Sequence, residues 1–167
     1  MKKIFTITLF LILLIGCSNK LTTMENEFQV SDEVLQESQN SNVIAGADID
    51  NDGIWDDIQI YIEQKYSDSE KTRAAARQFA KSLQNTMLDF KDKEKSILNT
   101  KDRYLAINCF ADVNEKYYII SADIEAELVN TDARILAYLE ASNHLGGLIF
   151  EVPTEPSCDF DITTMAN

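Results

Sequence analysis

Between residues 48 and 64 the chain carries five aspartates and a glutamate and not one lysine or arginine. Out of that acidic stretch rises an apolar stripe of helical period. The order is Asp48-Ile49-Asp50-Asn51-Asp52-Gly53-Ile54-Trp55-Asp56-Asp57, followed at once by Ile58. Asp48, Asp50 and Asp52 alternate, and carboxylates so crowded repel one another unless a positive charge sits among them. Gly53 stands where the chain turns back, and glycine accepts positive φ without steric cost. Ile54, Ile58, Tyr61 and Ile62 recur at i, i+4, i+7 and i+8, one face of an α-helix. The pattern predicts an anchored polar turn that runs straight into a half-buried helix.

The same period continues downstream. Ala76, Phe79, Ala80, Leu83, Met87 and Phe90 mark a longer helix, with Ser67 or Ser69 as its N-cap. Ile97, Leu98, Tyr104, Leu105 and Cys109 mark a third. Thr131 is placed to cap the last helix, whose Ile135, Tyr138 and Leu139 are expected to face inward and which Gly146-Gly147 ends. Residues 117–128 read two ways. Tyr118, Ile120, Ala122, Ile124, Ala126 and Leu128 alternate as a strand does. Tyr117, Ile120, Ile124 and Leu128 keep helical spacing, and the Ala, Glu and Leu content favours helix, which is the expected outcome. Residues 148–152, before Pro153, are expected to be extended. The fold class expected is mainly α: a small helical bundle over 44–167, preceded by the Asp-rich loop at 48–59 and followed by a short extended tail.

With 167 residues, 45 % of them hydrophobic and 26 % charged, the chain has material for one core, which excludes wholesale disorder and fibrous repeats. Its 28 acidic residues against 15 basic ones leave a formal charge of −13. A surface so acidic is repelled by nucleic acid phosphates and by anionic headgroups, so no nucleic acid partner is expected. Cations and basic proteins remain.

The N-terminus carries an address. Lys2 and Lys3 precede an apolar run over residues 4–15, whose twelve residues span roughly 18 Å as a helix, too short for a ~30 Å hydrocarbon core. The run has the character of a signal peptide. It ends in Leu14-Ile15-Gly16-Cys17, which resembles the lipobox of bacterial lipoproteins. That resemblance implies cleavage after Gly16, lipidation of Cys17 and a membrane partner through the lipid. Ser18, where a retention signal would have Asp, implies the outer membrane of a Gram-negative cell envelope. Residues 17–43, rich in Ser, Asn, Gln and Glu, are expected to form a flexible tether, in which Phe28, Val30, Val34 and Leu35 are the residues suited to a short docking helix.

Export bears on the other two cysteines. In an oxidising compartment Cys109 and Cys158 form an even pair suited to a disulfide that staples the tail to the helices. Two buried thiols, or a metal pair, are the alternatives. A single histidine, His144, supplies no zinc-ligand spacing.

The aspartate stretch resembles an EF-hand loop, and also the Asp-x-Asp-x-Asp-Gly calcium loops of dockerins and thrombospondin type-3 repeats. The resemblance implies a structural calcium site in which Asp48, Asp50 and Asp52 supply side chains and Gly53 the turn. Ile54 would supply its carbonyl and Asp56 a direct or water-mediated oxygen. Trp55 stands where a loop usually has an aliphatic residue facing a partner loop, and no second loop is present. Gln59 occupies the twelfth position in place of a bidentate Glu, which implies affinity in the weak extracellular class, about 10⁻⁴–10⁻³ M. Asp57 completes the site if the register is the shorter, thrombospondin-like one. Asp56 and Asp57 also suit an ordinary helix N-terminus.

Enzyme signatures are missing from the sequence: there is no nucleophile elbow, no paired-cysteine redox motif, no zinc-protease helix and no phosphate loop. His144 reads as a cap on helix carbonyls. Tyr104, Phe110, Tyr117, Tyr118 and Tyr138 read as packing, and residues 91–95 as a solvated helix turn. The chain is loosely similar to bacterial envelope lipoproteins. The expectation is a lipid-anchored, non-enzymatic binding or scaffold module. The alternatives are an acidic inhibitor or immunity-type lipoprotein that blocks a basic partner, and a hydrolase with an unrecognised carboxylate pair.

Overall fold

The computed structural model describes residues 44–153 and 158–166, and the expected lipidation site Cys17 and tether 17–43 lie outside them. Five α-helices account for the regular structure of the described residues: α1 (Asp56–Lys65), α2 (Glu70–Leu88), α3 (Lys93–Val113), α4 (Tyr117–Leu128) and α5 (Asp132–Asn143). No strand occurs among them. The ambiguous 117–128 segment is helix α4, and it buries Ile120, Ile124 and Leu128 at the i, i+4, i+8 spacing.

Helix α2 is the central element and packs against each of the other four. Its Ala76, Phe79, Ala80, Leu83 and Met87 are buried as the period requires, as is Phe90 just past its end, and Phe79 and Leu83 meet Phe110 of α3 and the Ile58–Ile62 face of α1 in one continuous core, while Leu88 is 39 % exposed. Local chemistry sets the helix starts. Ser69 Oγ accepts from Thr72 N–H, Asp92 Oδ1 from Glu94 and Lys95 N–H, and Thr131 Oγ1 from Arg134 N–H. Each cap stabilises its helix by about 1 kcal/mol. Buried hydroxyls on α2 and α3 turn back onto their own helices: Thr86 donates to the Ser82 carbonyl and Thr100 to the Ser96 carbonyl.

Three sequence expectations about facing are corrected. On α5, Ile135 and Leu139 are 39 % and 52 % exposed, and the inward face is Ala133, Ala137 and Ala141. α5 packs on α2, and the long Arg134 side chain is buried on α5 beside these alanines. Leu98 on α3 is likewise exposed, its helix burying Ser96, Asn99 and Thr100 instead. Tyr118 points to solvent, whereas Phe110 is wholly buried and Tyr104, Tyr117 and Tyr138 are half-buried.

Cys109 and Cys158 are bonded, with a Cα–Cα distance of 4.8 Å. The bridge fastens the C-terminal segment against the bundle, where Phe160 packs on the core and Lys71 N–H donates to the Ala166 carbonyl. Residues 148–153 have no regular structure and follow a turn in which Gly147 adopts φ +79°. His144 Nε2 lies 3.1 Å from the Phe90 carbonyl in the turn after α2, so the ring contacts that turn and is not shown capping the carbonyls of its own helix.

Candidate metal centre

The acidic loop is closed before helix α1 begins. Asp56 N–H donates to the Ala47 carbonyl at 2.7 Å, gathering residues 47–56 into a ring. Two residues inside it have positive φ: Asn51 at 58° and Gly53 at 86°. Asn tolerates this region because its short side chain bonds locally, and Asn51 Nδ2 donates to the Ile49 carbonyl. At Gly53 a side chain would also collide with Lys81, whose Nζ would be 2.6 Å from the added Cβ.

Within the ring each aspartate accepts from a nearby backbone N–H. Asp48 Oδ2 accepts from Gly53 at 3.1 Å, Asp50 Oδ1 from Asp52 at 3.3 Å, and Asp52 Oδ1 from Ile54 at 2.9 Å. Both Asp56 oxygens share the Ile49 N–H at 3.3 Å. These bonds draw one carboxylate oxygen each of Asp48, Asp50 and Asp56 to within 4.8 Å of one another. A single hard cation 2.3–2.6 Å from each spans such a separation.

Two further atoms bear on what fits there. Asp48 Oδ1 and Gln59 Oε1 are both buried without a hydrogen-bond partner among the described residues. A buried acceptor left unmet costs about 1–3 kcal/mol. Gln59 lines the same groove as Asp50 and Asp56, one turn into α1. Three carboxylates and an uncharged amide oxygen, all hard donors, two of them orphaned, fit a calcium-type ion and offer nothing to a soft metal.

The sequence-predicted residues divide accordingly. Asp48, Asp50 and Asp56 come together, and Gln59 is adjacent. Asp52 stands outside the cluster, its carboxylate spent on the Ile54 N–H and its carbonyl accepting from Lys81 Nζ at 3.0 Å. Ile54 buries its side chain in the core. Asp57 is exposed, accepts from the Ile58 N–H at the start of α1, and presents its charge to Arg134.

Sequence reasoning missed what holds the loop from behind. Gln84, on α2 and 2 % exposed, accepts from Trp55 N–H and donates to the Gly53 carbonyl, both at 3.2 Å. The available signal was a glutamine set among Ala80, Leu83 and Met87 on an apolar face. Trp55 is itself buried, packed so tightly on Gly46 that an added Cβ there would come within 2.7 Å of the ring.

Beside the cluster opens a groove of about 580 Å³, bordered by Ile49, Ile60 and Glu63. Ile49 is 81 % and Ile60 55 % exposed. Glu63 is paired with Arg73 and Arg77, so its charge is already answered. Among the described residues no helix is long and apolar enough to cross a membrane. No family model matches the chain, and no curated protein and no solved structure matches it.

Proposed function

We propose that the chain is a lipid-anchored cell-envelope protein whose helical domain is a non-enzymatic binding or scaffold module built on a structural calcium site. The observation that carries the calcium reading is the meeting of Asp48, Asp50 and Asp56 beside two buried, unpartnered oxygens, Asp48 Oδ1 and Gln59 Oε1. Asp48, Asp50, Asp56 and Gln59 would hold the ion, which neutralises the cluster and ties the segment before α1 to the helix. The lipid-anchor reading rests on Leu14-Ile15-Gly16-Cys17. Calorimetric titration of calcium into the protein tests the first part, and the absence of any binding heat at millimolar calcium overturns it. Labelling of the expressed protein with a radioactive fatty acid, lost in Cys17→Ser, tests the second.

A second reading, an acidic inhibitor of a basic partner, draws support from the exposed Ile49 and Ile60 beside Asp50 and Asp56. An apolar patch framed by carboxylates suits a partner with basic and apolar residues side by side. Its test is a basic protein that is held at low salt, released at high salt, and lost with Ile60→Asp.

A further inference from the structure

Between Gly147, at φ +79°, and Pro153 the chain reads Leu148-Ile149-Phe150-Glu151-Val152. Ile149, Phe150 and Val152 favour strands, and a glycine turn and a proline bound the run as they bound a strand. Among the described residues there is no strand for it to join. The run is nevertheless held along α3. Leu148 N–H donates to the Leu145 carbonyl at 3.0 Å, the Phe150 ring lies 5.8 Å from that of Tyr104, and the Pro153 carbonyl accepts from Asn108 Nδ2 at 2.5 Å. Between these points the N–H groups of Ile149, Phe150, Glu151 and Val152 meet no acceptor among the described residues. The same residues expose their apolar side chains, Ile149 at 96 % and Val152 at 64 %. A groove of about 620 Å³ runs between this segment and Ile97 and Leu105 of α3.

Whatever covers the segment has to bury aliphatic side chains and also answer backbone N–H groups. Lipid hydrocarbon does the first and leaves the amides bare. An extended polypeptide does both, by adding a strand. Charge narrows the choice of polypeptide. Lys101 from α3 and Glu151 from the segment both line the groove, and neither is in an ion pair among the described residues. A face with one unanswered base and one unanswered acid is complementary to itself about a two-fold axis, as an isologous contact requires. The formal charge of −13 on each copy opposes association, but at physiological ionic strength it is screened beyond about 8 Å and leaves short-range contacts to decide.

We propose that residues 148–152 are a self-pairing edge, through which two copies of the chain associate by antiparallel pairing of these segments. Each copy covers the other's Ile149 and Val152, and the Lys101 of one meets the Glu151 of the other. The contact is separate from the acidic loop and needs no metal.

The test is sedimentation equilibrium of the full chain in mild detergent, with micelles in large excess over chains. The wild-type protein is expected to form a reversible dimer. Ile149→Asp is expected to weaken it roughly 10–100-fold, the range for losing the burial of one large aliphatic side chain. Leu139→Asp, equally exposed to solvent on α5, is the control and should leave the affinity unchanged. Lys101→Glu and Glu151→Lys should each weaken the dimer, and an equimolar mixture of the two should recover it, because each then supplies what the other lacks. Amide exchange at 149–152 should be slow where the dimer forms and fast on dilution. A wild-type chain that stays monomeric at roughly millimolar concentration overturns the proposal. So does a dimer indifferent to Ile149→Asp, an equal loss in Leu139→Asp, or a mixture that recovers nothing. Amides that stay slow in the diluted monomer overturn it too, since the segment is then covered by its own chain.

Discussion

The guanidinium of Arg134 lies 4.1 Å from the centre of the Trp55 ring, stacked against it inside the domain. From there Nε donates to the Ile44 carbonyl, and one terminal nitrogen donates to the Leu128 carbonyl and to Asn130 Oδ1. One side chain thus joins the approach to the acidic loop, the loop's own tryptophan, the end of α4 and the start of α5. Burial holds its pKa below that of a free guanidinium, and Asp57 nearby pulls the other way.

Replacing Arg134 by Met is expected to destabilise the protein by about 2–4 kcal/mol, because it leaves buried carbonyls at 44 and 128 unpaired and removes the cation from the ring face. Arg134→Lys is expected to recover little of this, since an ammonium lacks the planar fork that reaches these acceptors together. Urea unfolding followed by helical circular dichroism gives both numbers.

Calcium at 10 mM is expected to raise the melting temperature by roughly 5–10 °C if Kd is about 10⁻⁴–10⁻³ M, and EDTA to reverse it. The double variant Asp50→Asn, Asp56→Asn should lose the response. Asp52→Asn should keep most of it, because the Asp52 carboxylate serves the Ile54 N–H and lies outside the cluster. Equal losses in both variants would argue for a ligand set built on the first three aspartates.

Gly46→Ala is expected to cost about 1–3 kcal/mol, the range for forcing extra volume into a packed site. Its Cβ would lie 2.7 Å from Trp55 Cγ. As Trp55 is the only tryptophan, its emission should shift to the red as the ring is displaced.

Reduction of the Cys109–Cys158 bridge, or the pair of Cys→Ser substitutions, is expected to lower stability by about 2–5 kcal/mol. The loop it closes spans 49 residues, and Cys109 is wholly buried, so reduction of the folded protein should be slow and should quicken on partial unfolding. Thermal melts with and without reductant check the first point, and the rate of thiol release in urea checks the second.

Tyr66 is buried, and its hydroxyl has no partner within hydrogen-bond distance among the described residues. Burial, reinforced by the neighbouring Tyr61, pushes its pKa up. A phenol that stays protonated when folded and ionises near 10 when unfolded contributes stability below that pH and loses it as pH rises further. The protein should therefore weaken above about pH 10. Tyr66→Phe should be neutral or slightly stabilising at pH 7, and should blunt the alkaline loss. A wild-type-like alkaline curve in that variant would assign the loss to other groups.

Which parts of this were legible from the chain follows from the range of the forces involved. Helix starts at Ser69 and Thr131, the apolar face of α2, the helical state of 117–128 and the turn at Gly53 depend on residues within four or five positions of one another, and periodicity and cap chemistry report them. The inward face of α5 was misread from the same data. Ile135 and Leu139 are the larger apolar side chains, but the face of α5 that packs on the bundle carries Ala133, Ala137 and Ala141, with Arg134 buried beside them.

The acidic stretch divides in the same way. Crowded carboxylates around a glycine turn were visible in the sequence, as was the oddity of Gln59 at its end. That Asp56 and not Asp52 joins Asp48 and Asp50 was decided by the ring closed between Ala47 and Asp56. That Trp55 turns into the core, and that a glutamine 29 residues away completes the loop from behind, depend on α2 lying across it. Hydrogen bonds and stacking act only over a few ångströms, so partners distant in sequence acquire meaning only once the bundle has brought them into contact.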